Sequence, residues 1–154
     1  MNRMKRMKPI VVALTLALAV LLSGCALLEQ VNSTVDYATE ATAFLNEANG
    51  FAERLPALAE QAIADPNALA SLRTELEAMT ADIAAFNALE APAIAEELHR
   101  QIVAYNEDIA AQLDGYVQQI DQNVIDLDAL ANAPVLETIR SMTALLNQLE
   151  QLQQ

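Results

Sequence analysis

Apolar residues recur at helical spacing through most of this 154-residue chain. The cleanest stripe lies between residues 66 and 89, where six apolar side chains alternate spacings of three and four: Leu69, Leu72, Leu76, Met79, Ile83 and Phe86. This spacing places all six on one face of an α-helix. The sequence contains no sustained alternation of period two between turn signals, which is the pattern that predicts strands. We therefore expect an all-α protein.

Proline and glycine divide the pattern into helical segments. The predicted segments are residues 28–64, 66–89, 92–123 and 134–151. A proline stands at the start of each of the last three, where its missing N–H costs little, and Asp65 directly before Pro66 is a capping residue. Gly50 and Pro56 are expected to bend or break the first segment, and Gly115 to kink the third. Short connections favour antiparallel neighbours, so the sequence predicts an antiparallel bundle of about four helices.

The amino-terminal residues have the composition of a secretory signal. Residues 1–8 contain four basic side chains, and residues 10–22 are uncharged and mostly apolar. The apolar run is too short for a comfortable membrane span, whereas a basic segment followed by such a run is typical of a signal peptide. We expect residues 1–24 to be a cleaved lipoprotein signal peptide and residues 25–154 to form an acidic helical domain.

The end of the apolar run reads Leu22-Ser23-Gly24-Cys25, which resembles the bacterial lipobox. The resemblance implies that signal peptidase recognises Leu22, Ser23 and Gly24 and cuts before Cys25. It also implies that the Cys25 thiol carries diacylglycerol and that the new amino terminus can be acylated, for example with palmitate. The alternatives are an unmodified buried cysteine after an ordinary cut, or an uncleaved anchor helix extending through Leu28.

The charge balance narrows the possible partners. The whole chain has a formal net charge of −13, and loss of residues 1–24 would remove half of its eight basic residues and none of its acidic ones. Repulsion then disfavours binding to nucleic acid or to anionic lipid headgroups. Every processing alternative leaves the domain outside the cytoplasm, because the basic residues stay inside. The single cysteine excludes a disulfide within one chain. We therefore expect membrane attachment through the lipid on Cys25, on the extracytoplasmic face.

Candidate metal ligands are sparse in the sequence. His99 is the only histidine, and Glu96 precedes it by three residues. Di-iron bundles need two such pairs and two further inward-facing glutamates, so a solvated helix face is the predicted environment of His99. Three carboxylates near the third connection, Asp121, Asp126 and Asp128, lack the calcium-loop pattern, and capping and solubility explain them equally well. We expect no metal site.

Catalytic motifs are also missing from the sequence. It contains no nucleophile elbow and no glycine-rich phosphate loop, and it has no lysine beyond residue 8. We expect that the protein is not an enzyme and needs no cofactor.

Aromatic residues give the first segment a second apolar edge. Tyr37, Phe44 and Phe51 follow one another at intervals of seven, beside the main stripe of that segment, which includes Val35 and Leu45. This edge could pack inside the bundle or dock a partner helix. Phe86 and Tyr105 lie on apolar stripes of later segments and are expected in the core.

Two stretches extend the resemblance beyond the lipobox: VNSTVDYATEATAFLNEA at 31–48 and FNALEAPAIAEELHRQIVAYN at 86–106. With them the chain resembles a family of small Gram-positive lipoproteins of unknown function. The resemblance implies extracytoplasmic placement on the cell membrane and brings no activity or catalytic residue. The expected role is a non-catalytic protein-interaction or envelope-structural module, with an envelope or membrane protein as partner. The alternative is a cation- or small-ligand-binding lipoprotein associated with a transporter.

Overall fold

A computed structural model describes residues 7–152 of the chain, and it describes side chains from residue 32 to residue 151. The described part is helical and contains no strand, which confirms the all-α prediction. Its helices are α1 (Met7–Ala64), α2 (Pro66–Asn87), α3 (Glu96–Asp121), α4 (Leu127–Leu130), α5 (Pro134–Thr143) and α6 (Leu146–Leu152).

The helices form an antiparallel bundle. The packed pairs α1/α2, α2/α3, α3/α5 and α1/α5 close a four-membered ring, and α4 and α6 complete it against α1. Phe44 of α1 lies against Phe86 at one end of α2, while Arg54 of α1 pairs with Glu75 further back along α2. These contacts run in opposite directions along the two helices, so α1 and α2 are antiparallel. The predicted bundle is confirmed, with α5 and α6 sharing its fourth position.

The turn between α1 and α2 is set by Asp65. Its carboxylate accepts a hydrogen bond from the Asn67 backbone N–H, and Pro66 occupies the first turn of the helix. A side-chain cap satisfies one of the helix's unpaired N–H groups. Proline lacks a backbone N–H, but an N–H in the first turn would have no partner within the helix, so no helical hydrogen bond is lost. One capping residue is therefore enough to reverse the chain.

Helix α1 contradicts the predicted break at Gly50 and Pro56. It is continuous through both residues, and Gly50 does not have a positive φ. A proline inside a helix costs about 3 kcal/mol, but Leu55 and Ala59 on either side of Pro56 are fully buried against the other helices. Packing of this face therefore outweighs the local preference to break.

The later helix boundaries also differ from the prediction. Helix α3 begins at Glu96, because residues 92–95 form a turn in which the Ala95 N–H donates to the Pro92 carbonyl. Ile94 consequently lies outside the helix and is 65% exposed. The predicted kink at Gly115 does not interrupt α3. The fourth segment is two helices separated by a turn at residues 144–145.

The aromatic edge of α1 packs inside the bundle. Tyr37, Phe44 and Phe51 are all buried, and they belong to the same cluster as the α2 stripe. Val35, which the sequence places on the main stripe of this helix, is 43% exposed. Of the two alternatives for the aromatic edge, packing inside the bundle is therefore the one observed, and this edge forms much of the buried face of α1.

Candidate functional site

A groove lies between α1 and α2 on the described surface. It has a volume of about 310 Å³. Its lining residues come from two stretches: Glu40, Ala43, Phe44 and Glu47 of α1, and Asp82, Ala85 and Phe86 of α2 together with Leu89 just beyond the end of α2. Along the chain, each wall has an acid followed by an Ala-Phe pair. Because the helices are antiparallel, these two orders run in opposite directions along the groove.

Aromatic side chains form the floor of the groove, and alanines with small side chains lie in its walls. The rings of Phe44 and Phe86 stack with centroids 4.5 Å apart and an angle of 23° between their planes. Both phenylalanines are buried, whereas Ala43 and Ala85 are exposed. Residues with so little side chain leave the space above the two rings open.

The rim of the groove is negatively charged. Glu40, Glu47 and Asp82 are all exposed. Glu47 pairs with Arg54 at 2.8 Å, and this hydrogen bond raises the pKa of the Arg54 guanidinium. Glu40 and Asp82 have no ion-pair partner in the described part of the chain. The opening therefore keeps an excess of negative charge over an apolar floor.

His99 lies beside this groove rather than on a solvated helix face, so the sequence-based prediction was wrong. Its ring stacks with Phe86 at 5.2 Å, and its Nδ1 is 3.1 Å from Tyr37 Oη. Burial lowers the pKa of His99 and raises the pKa of Tyr37 to about 12. Both groups are therefore neutral at pH 7, and they connect α3 to α1.

We predict a pH-dependent stability that depends on His99. Because the folded-state pKa is lowered from 6.5, the unfolded chain binds a proton more readily, so stability falls as pH drops below about 6.5. The loss is complete once pH passes below the folded-state pKa. The melting temperature of the wild type should fall more than that of His99→Phe between about pH 8 and pH 5. Parallel profiles for the two proteins would contradict the assigned environment.

The other candidate ligands have separate structural roles. Asp121 pairs with Arg73 at 3.4 Å, and Asp126 caps α4 by accepting from the Ala129 N–H. Glu96 is exposed in the first turn of α3. Across the described residues, no group of three or more His, Cys, Asp and Glu side chains converges as a metal site would require.

Sequence reasoning missed a polar contact inside the bundle. Asn106 is completely buried, and its Nδ2 donates to Asn87 Oδ1 at 2.8 Å, joining α3 to the end of α2. Among the side chains that the structure describes, none hydrogen-bonds to Asn106 Oδ1. A single asparagine among apolar neighbours is the only signal the sequence offers, and it does not identify the residue opposite.

The predicted processing residues Leu22, Ser23, Gly24 and Cys25 lie outside the residues whose side chains are described. Their roles stay predictions. Within the part of the chain that was described in full, no helix is both long and apolar enough to traverse a membrane.

Comparison with known proteins places this bundle in a family. Residues 37–152, which include both walls of the groove and His99, match the family described as "Family of unknown function (DUF6376)", and the chain belongs to that family. It is also 32% identical over 129 residues to the "Uncharacterized lipoprotein YybP" of Bacillus subtilis (strain 168). That alignment covers 84% of this chain and 87% of the relative. No solved structure matches the chain.

Proposed function

We propose that this protein is a lipid-anchored extracytoplasmic module that binds an envelope or membrane protein and carries out no catalysis. The observation that carries the proposal is the order Leu22-Ser23-Gly24-Cys25 directly after a basic and apolar leader. The lipoprotein of Bacillus subtilis, aligned over most of its length, supports the same interpretation. Cys25 is the proposed attachment point for diacylglycerol.

The anchor would hold the bundle close to the membrane. Acyl chains contribute about 0.8 kcal/mol per buried methylene, and two chains give stable attachment where one is marginal. Helix α1 includes Cys25 and continues into the bundle without a break, so no flexible stalk separates them. At 1.5 Å per residue, Glu40 lies about 22 Å along the helix axis from Cys25. The groove would therefore face proteins at the membrane surface.

Two side chains that are common in catalytic sites take part in packing and ion pairing here. His99 contacts Tyr37 and Phe86, and Asp121 contacts Arg73. The groove offers an apolar floor with an acidic rim, which suits recognition of a partner surface. A binding role accordingly explains the arrangement better than an enzymatic one.

Proximity crosslinking in intact cells tests this proposal. The lipidated protein is compared with a secreted version in which an ordinary signal peptide replaces residues 1–25, and the captured proteins are identified by mass spectrometry. The proposal predicts one defined envelope or membrane protein that is captured only by the lipidated form. Equal capture of the same proteins by both forms, or no specific capture, would contradict it.

A further inference from the structure

We propose that the groove between α1 and α2 binds a helix of the partner protein that carries Lys or Arg on both sides of a short apolar face. This inference rests on the proposed function and specifies the chemistry of the partner. It concerns the eight residues that line the groove, and nothing about it depends on how the chain is anchored.

The shape of the groove suits a helix. The α1 wall follows the spacing i, i+3, i+4 and i+7 over about 10 Å, or two helical turns, and Asp82, Ala85 and Phe86 of α2 follow the same spacing up to the last turn of that helix. A helix that docks in a groove uses apolar anchors at the same spacing. Ala43 and Ala85 allow its backbone to approach, and the stacked rings of Phe44 and Phe86 lie beneath its anchors.

The size of the groove favours inserted side chains over a whole small molecule. Pockets for small ligands usually enclose about 300–1,000 Å³ and cover most of the ligand. This groove, at about 310 Å³, is at the lower limit of that range. Its alanine walls are also exposed, so it is open to solvent along its length. One or two large apolar side chains from a helix would fill it.

The charge of the rim specifies basic flanks on the partner. Glu40 and Asp82 stand at the starts of the two antiparallel walls, and Glu47 stands at the other end of the α1 wall. Arg54 pairs with Glu47 and with Glu75, so this one arginine is shared between two acids. Lysine or arginine on either side of the inserted helix would complement Glu40 and Asp82, which speeds association and disfavours acidic partners.

The same rim disfavours a second copy of this chain as the occupant. Two such grooves placed face to face would bring Glu40, Glu47 and Asp82 of one copy against the same acids of the other. Like charges placed together across an interface are costly. A basic helix meets no such repulsion.

A labelled synthetic peptide tests the inference. The probe is an amphipathic helix with leucines at i, i+3, i+4 and i+7 and lysines on both sides, and its control has the same composition with the leucines spread evenly. Binding to the lipidated protein in phosphatidylcholine nanodiscs is measured by fluorescence anisotropy, with empty nanodiscs subtracted. We expect the ordered peptide to bind at least about tenfold more tightly than its control, which corresponds to about 1.4 kcal/mol.

Two matched pairs of variants localise the binding. Ala85→Leu fills the groove, whereas Ala84→Leu adds the same side chain at an exposed position that does not line it. Asp82→Asn removes a rim charge, whereas Asp114→Asn removes an exposed charge on α3. We expect Ala85→Leu to weaken binding about tenfold and Asp82→Asn severalfold, with both controls within twofold of the wild type. Melting temperatures of all four variants establish that they are folded.

Three results would overturn the inference: equal binding of the two peptides, equal losses in the groove variants and their controls, or self-association of the protein that Ala85→Leu abolishes. The last result would assign the groove to a second copy. If crosslinking finds an anchor-dependent partner that Ala85→Leu still captures, the proposed function stands and the groove assignment falls.

Discussion

Replacing Phe51 with alanine is expected to lower the free energy of unfolding by about 3–5 kcal/mol, the usual cost of removing a buried phenylalanine side chain. Phe51 is 1% exposed and lies in the same core cluster as Leu72 and Leu76. Truncation would leave a cavity between helices that the surrounding side chains fill only in part. Since small domains are stable by only about 5–15 kcal/mol, this is a large share of the total.

Urea denaturation followed by circular dichroism measures this loss, and Val35→Ala is the matched control. Val35 lies on the same helix and is 43% exposed, so its truncation should change stability by less than about 0.5 kcal/mol. Similar small effects for the two variants would mean that the aromatic edge of α1 does not pack inside the bundle in solution.

The helical stripes and one helix cap were predictable from the sequence because they rest on local spacing and local chemistry. The stripe from Leu72 to Phe86 is buried as its spacing indicates, and the Asp65-Pro66 pair begins α2 as expected. Both signals depend on residues within a few positions of one another.

The misjudged elements depend on contacts between distant residues. Pro56 is a strong local helix breaker, yet its helix continues because the flanking residues pack on other helices. His99 is polar and near acids in sequence, but Phe86 and Tyr37 come from two other helices to surround it. No local pattern contains that information.

The groove was predictable from the sequence only in part. The segments EATAFLNE at 40–47 and DIAAFNAL at 82–89 share an acid followed by Ala-Phe, and this likeness is visible in the sequence. That the two segments face one another across antiparallel helices follows only from the packed structure.

The Cys25→Ala variant is expected to remain an uncut precursor that carries no lipid. Without the thiol, no diacylglycerol can be added, and in the lipobox interpretation the precursor is then left uncut. Expression in the native type of host, followed by detergent-phase partitioning and immunoblotting, should show a single longer species with no lipid.

Ser33→Ala is the matched control, because it changes another small residue near the cut but outside the lipobox order. It should be processed and partition into the detergent phase like the wild type. Normal cleavage of Cys25→Ala would refute the lipobox assignment and favour an ordinary signal peptide.

Mass spectrometry of the amino-terminal peptide of the wild-type protein tests directly whether Cys25 is the lipid-modified amino terminus. After removal of residues 1–24, the first arginine is Arg54 and no lysine precedes it, so trypsin should release residues 25–54. We expect this peptide to begin at Cys25 and to carry diacylglycerol on its sulfur. A peptide that begins elsewhere, or a Cys25 with a free thiol, would contradict this expectation.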